Sequence, residues 1–443
     1  MTLSNNQSFF LMSSKRRQDD NDNDDDDDDD REDTQQSQSQ YRLLPVFGDH
    51  KRAVSSIKFA PSKLTKNKPN AAIVASASAS AFIKIWDLQS ALQTETEEST
   101  TSTSKTLSSS KSTGPSSRKP LQDATVCIGH SRGINDICWN PVAPLLASAS
   151  DDKTVRLWDA VTGDGLVECK GHDNFVFCID QYHSMMVSGS FDETVKLWDI
   201  RSGECVSTLP AHSDPVTAVG FNRDGTCVCS ASHDGLIRIW DVATGECLKT
   251  IFAAGNPPVS SVKYSPNGKY LLAGTLDSVI RLWPVNRMGS HKCAKTYNQN
   301  QMGHVNRKYS VAIDFTYDGH VLTGSECGKG AVLYDLQSRQ ILQRLTIHGD
   351  EHQTIKDDNN NQESTKAQDT TQEETDDGTT TAASTTDVVL AVSAHDRLPL
   401  IATGGMSSTD RKVDFWIKAT KEHDIMDVDT SEETPAKKAK TRK

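Results

Sequence analysis

A repeated unit constrains this chain more than any other feature. Gly171 to Asp199 reads GHDNFVFCIDQYHSMMVSGSFDETVKLWD, opening on Gly-His and closing on Trp-Asp. Val176 to Ile179, Met185 to Ser188 and Thr194 to Trp198 are short apolar runs of strand character, parted by polar or glycine-containing breaks. The same unit stands just upstream, from Gly129-His130 to Trp158-Asp159, and just downstream, from Ala211-His212 to Trp240-Asp241. The closing residues Trp158, Trp198 and Trp240 are spaced by 40 and then 42 residues. A period of this kind overrides the two or three average domains that 443 residues would otherwise suggest.

Four strands per unit, with GH…WD ends at this period, are the signature of the WD40 β-propeller. The predicted fold class is therefore all-β, a seven-bladed WD40 β-propeller with disordered tails and two low-complexity loop insertions. The first repeat runs from Asp49-His50 to Trp86-Asp87, with Ser80 where its neighbours have aspartate and an extra segment from Lys63 to Asn70. Trp86 and Trp158 are 72 residues apart, one repeat plus roughly thirty residues of Ser/Thr-rich chain. The fifth repeat opens on Asn256-Pro257-Pro258-Val259 in place of Gly-His and ends at Trp283. The sixth runs from Gly303-His304 to Tyr334-Asp335, and the last from Asp387 to Trp416. Tyr41 to Phe47 precedes the first repeat, and such a strand pairs with the last blade to close the ring. The predicted organisation is a disordered acidic tail over 1–40, the propeller over 41–418 with insertions at about 89–124 and 349–386, and a disordered tail over 419–443 with a basic end.

Charge and cysteine content add limits. The net charge of −12 comes largely from one run, Asp19 to Asp30, and the rest is near neutral. No apolar run approaches the ~20 residues that span a bilayer, and no signal-peptide pattern opens the chain. The ten cysteines form no CxxC pair, which favours reduced thiols in an intracellular protein; Cys227 and Cys229 fall on one face of a strand. Lys15-Arg16-Arg17 and the terminal TPAKKAKTRK fit nuclear import signals, as they also fit chance.

The recurring polar residues suit a hydrogen-bond chain inside each blade: His130, Ser148, Asp152 and Trp158, then His172, Ser188, Asp192 and Trp198, then His212, Ser230, Asp234 and Trp240. An indole N–H, a hydroxyl and a carboxylate satisfy both imidazole nitrogens. A Ser/His/Asp set also invites a hydrolase reading, but a nucleophile site occurs once and this one recurs. Neither G-x-S-x-G, Walker A, HExxH nor a zinc spacing is present. The sequence thus predicts no enzyme, no cofactor and no metal.

A narrower resemblance lies in LPAHSDPV (Leu209 to Val216), VSGSFDETVKLWD (Val187 to Asp199), SASDDKTVRLWD and NPPVS…SPNGKYLLAGTLD. These segments resemble the WD-repeat adaptor subunit of COMPASS/MLL-type histone H3 lysine-4 methyltransferase complexes. The likeness is close from about Gly129 to Trp283 and looser elsewhere. It implies a nuclear, non-catalytic scaffold, one propeller within a hetero-complex. Its partners would be protein subunits of a Set-domain methyltransferase complex and the histone H3 tail, without direct nucleic acid or membrane contact. The rival reading is a WD40 adaptor of a ubiquitin ligase, splicing or signalling complex.

The resemblance also implies two sites. At one channel mouth the family takes an arginine between two phenylalanine rings beside an aspartate. The matching positions here are Phe177 for the first ring, Asp151 for the acid, Phe191 on the rim, and Ala75 and Asn135 on the wall. Ala312 stands where the second ring should be, His233 replaces a rim tyrosine, and Thr217 and Ser261 also depart from the family. The pocket is thereby predicted to be partly degenerate, with strand core as the alternative role of Phe177. On the opposite face the family holds an acidic-hydrophobic segment of a companion subunit between blades five and six. The positions there are Asn267, Tyr270, Leu282, Phe315, Tyr317 and Gln337. Asn267 also suits a Pro-Asn-Gly turn, and Leu282 plain strand core.

Overall fold

Within each repeat the strands carry alternating or wholly buried apolar residues, and each repeat folds into one antiparallel sheet. The computed structural model describes residues 41–65, 72–89, 91–92, 119–121, 124–285, 292–298, 303–328, 330–346, 388–405 and 411–418. The expected tails, the two basic segments and the bodies of both insertions lie outside the described residues. The described residues form seven sheets, matching the seven expected blades. In blade 3 the order from channel to rim is Val176–Tyr182, Met185–Ser190, Val195–Asp199 and Cys205–Leu209. The strands inside a blade are termed a, b, c and d from channel to rim.

Blade 7 closes the ring as expected. Its a, b and c strands, Val389–Ala394, Leu400–Gly405 and Lys412–Lys418, come from the C-terminal side, and its d strand is the N-terminal Tyr41–Asp49. Tyr41 pairs with Lys418 and Asp49 with Lys412, with a register shift between Leu43 and Phe47. The returning limb of the first insertion adds a fifth, parallel strand, Lys119–Pro120, alongside Val46 and Phe47.

Apolar packing lies between blades. Trp158, for example, joins Ile83, Ile134, Ile137 and Leu146 at the seam of blades 1 and 2. Innermost strands are also stitched across seams by carboxylates that the repeat pattern did not flag. Asp136 accepts from Ile179 N at 3.3 Å, Asp180 from Phe221 N at 2.8 Å, and Asp314 from Ala394 N at 3.1 Å. Burial raises the pKa of Asp180. In the same channel, Asp314, with help from Asp180 and Asp136, keeps Lys263 protonated against the effect of burial.

The predicted hydrogen-bond chain is present in blades 2, 3 and 4. In blade 3, Trp198 Nε1 donates to Ser188 Oγ at 2.8 Å, and Ser188 Oγ lies 2.8 Å from His172 Nε2. His172 Nδ1 lies 2.8 Å from Asp192 Oδ2. Distances in the His130 and His212 sets agree within 0.1 Å. Burial opposes ionisation of Asp152, Asp192 and Asp234, yet the bonds from His130, His172 and His212 hold all three below the usual carboxylate range. Blade 1 departs where Ser80 replaces the aspartate: Ser80 bonds Ser78, and His50 keeps only its contact to Ser76, at 2.6 Å. In blade 6 Tyr334 stands at the tryptophan position, but its hydroxyl lies 3.1 Å from His304 Nδ1, the nitrogen that meets the carboxylate in blades 2 to 4.

Candidate functional site

Strand polarity separates two faces. The b–c turns and the loops entering each a strand gather at one mouth of the channel, whereas the a–b and c–d turns gather at the other. The mouth has a repeated backbone frame. The residue after the buried serine that ends strand b donates its amide to the residue just before strand a. The pairs are Ala79 to Ala53, Asp151 to Gly133, Phe191 to Phe175 and His233 to Pro215. Ala79, Asp151, Phe191 and His233 therefore occupy equivalent places around one opening.

That frame corrects one expectation. Ala75 is not on the channel wall; it is fully buried in Ile73–Ser78, within the apolar seam of blades 1 and 2. The mouth position in blade 1 belongs to Ala79, four residues on. The signal was available in the Ser-X-Ser spacing, since the mouth residue follows the second serine in Ser76-Ala77-Ser78 as in Ser148-Ala149-Ser150.

The other mouth residues come together. Asn135 Nδ2 donates to Asp151 Oδ1 at 2.7 Å and to Val176 O at 2.9 Å, tying blade 2 to blade 3 and fixing the carboxylate. Val176 lies between Phe175 and Phe177. Phe177 and Phe191 meet edge to face, centroids 5.9 Å apart, and Phe175 meets Phe191 at 6.4 Å. Phe175 escaped the sequence reading; in NFVF both aromatic residues flank Val176, and only the backbone frame shows that the first also faces the mouth. Phe177 is half-buried, so it is neither sealed strand core nor fully free. On the following blades the matching wall positions are small or polar. Thr217 Oγ1 donates to Val259 O at 2.7 Å, Ser261 Oγ donates to Val311 O at 2.8 Å, and Ala312 packs against the seam of blades 6 and 7. Those hydroxyls are used to join blades and offer no second ring.

On the opposite face, Leu272, Leu282, Tyr297, Ile313 and Tyr334 form a buried cluster between blades 5 and 6. Tyr270 and Phe315 pack on it half-buried, and Tyr317, two residues on from Phe315, is 41% exposed. Leu282 itself is only 5% exposed. It forms the floor of the cleft and has little surface for a ligand, which corrects its expected contact role. Asn267 is exposed, but its Oδ1 accepts from Lys269 N at 3.0 Å and Ser265 Oγ at 2.7 Å, so it shapes the turn before Tyr270. Gln337 is held by Lys295 Nζ at 2.7 Å, an ammonium that also meets the Leu336 carbonyl at 2.9 Å. Lys295, which sequence reasoning passed over, thus places positive charge at the cleft edge.

Residues 116–417 match the WDR5 beta-propeller domain, and residues 41–87 match the WD domain, G-beta repeat. Curated relatives diverge in what their names describe. The chain is 29% identical over 135 residues to Nuclear distribution protein PAC1 of Komagataella phaffii, covering 30% of this chain and 22% of that protein. It is 36% identical over 169 residues to COMPASS component SWD3 of Saccharomyces cerevisiae, covering 36% and 53%. To Pre-mRNA-processing factor 17 of Homo sapiens it is 27% identical over 230 residues, covering 50% and 38%. The matched stretches thus span from 22% to 53% of these relatives' own length.

Proposed function

This chain belongs to the WDR5 β-propeller family of WD40 proteins, and on that premise we propose that it is a non-catalytic scaffold in a nuclear histone H3 lysine-4 methyltransferase complex of the COMPASS type. The observation that carries the reading is the cleft between blades 5 and 6. Tyr270 and Phe315 offer apolar surface over a buried floor, and the Lys295–Gln337 pair borders it with polar and positive groups. Such a shallow cleft suits an extended acidic-hydrophobic segment of a companion subunit. The partial likeness to a COMPASS component supports the same assignment. The scaffold would help to assemble an active Set-domain enzyme whose chemistry lies in another subunit.

A tagged pull-down from nuclear extract, assayed for methyl transfer onto histone H3, tests this. Recovery of lysine-4 methyltransferase activity that Tyr270→Ala abolishes is the expected result. Capture of another assembly would favour the second reading, an adaptor elsewhere, which the likenesses to a nuclear distribution protein and a pre-mRNA-processing factor support.

A further inference from the structure

We propose that Ser80 is a phosphorylation site, and that a phosphoryl group there supplies the acid missing from the hydrogen-bond chain of blade 1. The repeat fixes the position. Ser76, Ser78 and Ser80 stand where blade 2 has Ser148, Ser150 and Asp152. The next residues, Ala81 and Lys153, share a positive φ of 68° and 70°. Ser80 N donates to Ser78 Oγ at 3.2 Å, as Asp152 N does to Ser150 Oγ at 3.2 Å. The turn is the same, and the side chain differs.

The acid of blade 2 shows what blade 1 lacks. Asp152 Oδ2 meets His130 Nδ1 at 2.7 Å and accepts from Ser131 N at 3.0 Å. In blade 1 the Ser80 hydroxyl turns to Ser78 instead, and His50 Nδ1 is buried without a partner. His50 is 3% exposed, and its Nε2 lies 2.6 Å from Ser76 Oγ. In the tautomer that blades 2 to 4 require, Nε2 accepts from the serine and Nδ1 carries the proton. In blade 1 no atom accepts it. An unpaired buried donor is destabilising, and an anionic oxygen is the strongest acceptor for it.

The charge around this turn differs as well. Lys51 and Arg52 follow His50, both exposed, where blade 3 has Asp173-Asn174 and blade 4 has Ser213-Asp214. Their loop lies against the serine turn: Ala79 N donates to Ala53 O at 3.1 Å, and Ser78 Oγ donates to Arg52 O at 3.1 Å. Arg411 of blade 7 joins the same loop, its guanidinium donating to Lys51 O at 2.5 Å. Asp49 is also at hand, and Lys84 Nζ bonds its carbonyl at 2.6 Å. Lys51, Arg52 and Arg411 thus surround a turn from which the usual carboxylate is absent. A phosphoserine carries about −1.5 to −2 charge and three acceptor oxygens, enough for His50 and for these cations together. Because Arg411 belongs to blade 7, the modification would also tighten the seam where the ring closes.

The transfer is an ordinary phosphoryl exchange. A protein kinase moves the γ-phosphoryl of a nucleoside triphosphate to Ser80 Oγ. The new Oγ–P bond replaces the bridging O–P bond, the nucleoside diphosphate leaves, and the hydroxyl proton passes to solvent. Ser80 is half-exposed and follows the exposed Ala79, so the turn is open to an enzyme.

The test compares the full-length chain with and without phosphoserine at position 80, installed through a reassigned codon. Phosphoserine should raise the urea midpoint. Its second ionisation, read by phosphorus NMR, should fall about one pH unit below that of the same chain unfolded in urea. His50→Phe, which keeps a ring and removes the Nδ1 donor, should erase most of the gain in midpoint. Incubated with a γ-labelled nucleoside triphosphate and an extract of its own cells, the unmodified chain should take label that Ser80→Ala loses. A phosphoserine chain no more stable than the unmodified one overturns the proposal, as does an ionisation unchanged by folding. So does a chain that takes no label, or one whose label survives Ser80→Ala. Inorganic phosphate that raises the unmodified midpoint as far also overturns it, since the cations would then hold a free anion.

Discussion

Ser188→Ala tests whether the recurring Ser/His/Asp/Trp set is structure or machinery. The Ser188 hydroxyl is fully buried and serves two neighbours at once, accepting from Trp198 Nε1 at 2.8 Å and lying 2.8 Å from His172 Nε2. With His172 Nδ1 directed at Asp192, the serine O–H donates to the Nε2 lone pair. Alanine removes one oxygen and strands two groups, an indole N–H and an imidazole nitrogen, where Trp198 is 1% exposed. Each buried polar group left without a partner costs about 1–3 kcal/mol, so the variant should lose about 2–6 kcal/mol. Urea unfolding followed by tryptophan fluorescence reads the loss as a lower midpoint at unchanged slope. Because the geometry repeats, Ser148→Ala and Ser230→Ala should cost similar amounts. In Ser188→Ala/Trp198→Phe the donor is gone as well as its acceptor, so the double variant should cost less than the sum of the singles. A Ser188→Ala midpoint within about 0.5 kcal/mol of wild type would refute the reasoning, as would one serine of the three proving singular.

Four further outcomes follow from the same geometry. Tyr270→Ala should release the companion subunit with the cooperative melt retained, whereas Leu282→Ala, on the cleft floor, should cost about 2–5 kcal/mol of stability; the reverse pattern in co-precipitation and melting would exchange their roles. Ala75→Lys should prevent folding and Ala79→Lys should not, since only Ala79 sits at the mouth; soluble expression and circular dichroism decide between them. Burial lowers the His50 pKa to about 3, with Lys84 adding to the effect, and lowers the His304 pKa to about 4. The unfolded chain then binds more protons than the folded one below about pH 6.5, so stability is complete above that pH and falls as pH drops toward 4. The slope should be at most about 1.4 kcal/mol per pH unit for each histidine, and His50→Asn should flatten part of it in urea midpoints measured from pH 7 to 4.5. Asp152, Asp192 and Asp234, held low by their histidines, add a second loss only below about pH 4.

How much could be read in advance depends on the range of the interaction. The blade is a local object: Gly-His, three apolar strands and Trp-Asp lie within one period, and the bonds from His172 to Ser188 and Asp192 and from Trp198 to Ser188 join residues of one repeat. Local strand pattern and turn chemistry suffice to specify it, so the fold, the blade number and the inward-facing histidines were legible in the sequence. So was the closing role of Tyr41 to Phe47, because a lone strand beside seven repeats has only one free edge to join.

The sites are of the other kind, since each is made where two repeats meet. Asp151 and Phe177 become neighbours through Asn135, which crosses from blade 2 to blade 3, and Phe175 joins them through its backbone and ring contacts with Phe191. Ala75 and Ala79 are the same residue type, and although the Ser-X-Ser spacing hints at which is which, the register of strand b against its neighbours places the first in the core, with the second just past the end of the strand. Leu282 and Tyr270 face each other's strands, yet one is sealed and the other open, because blade 6 covers the first with Ile313 and Tyr334. The repeat pattern of this sequence determines the blade; the closing of seven blades into a ring determines which of their residues meet, since those contacts join segments that no period relates.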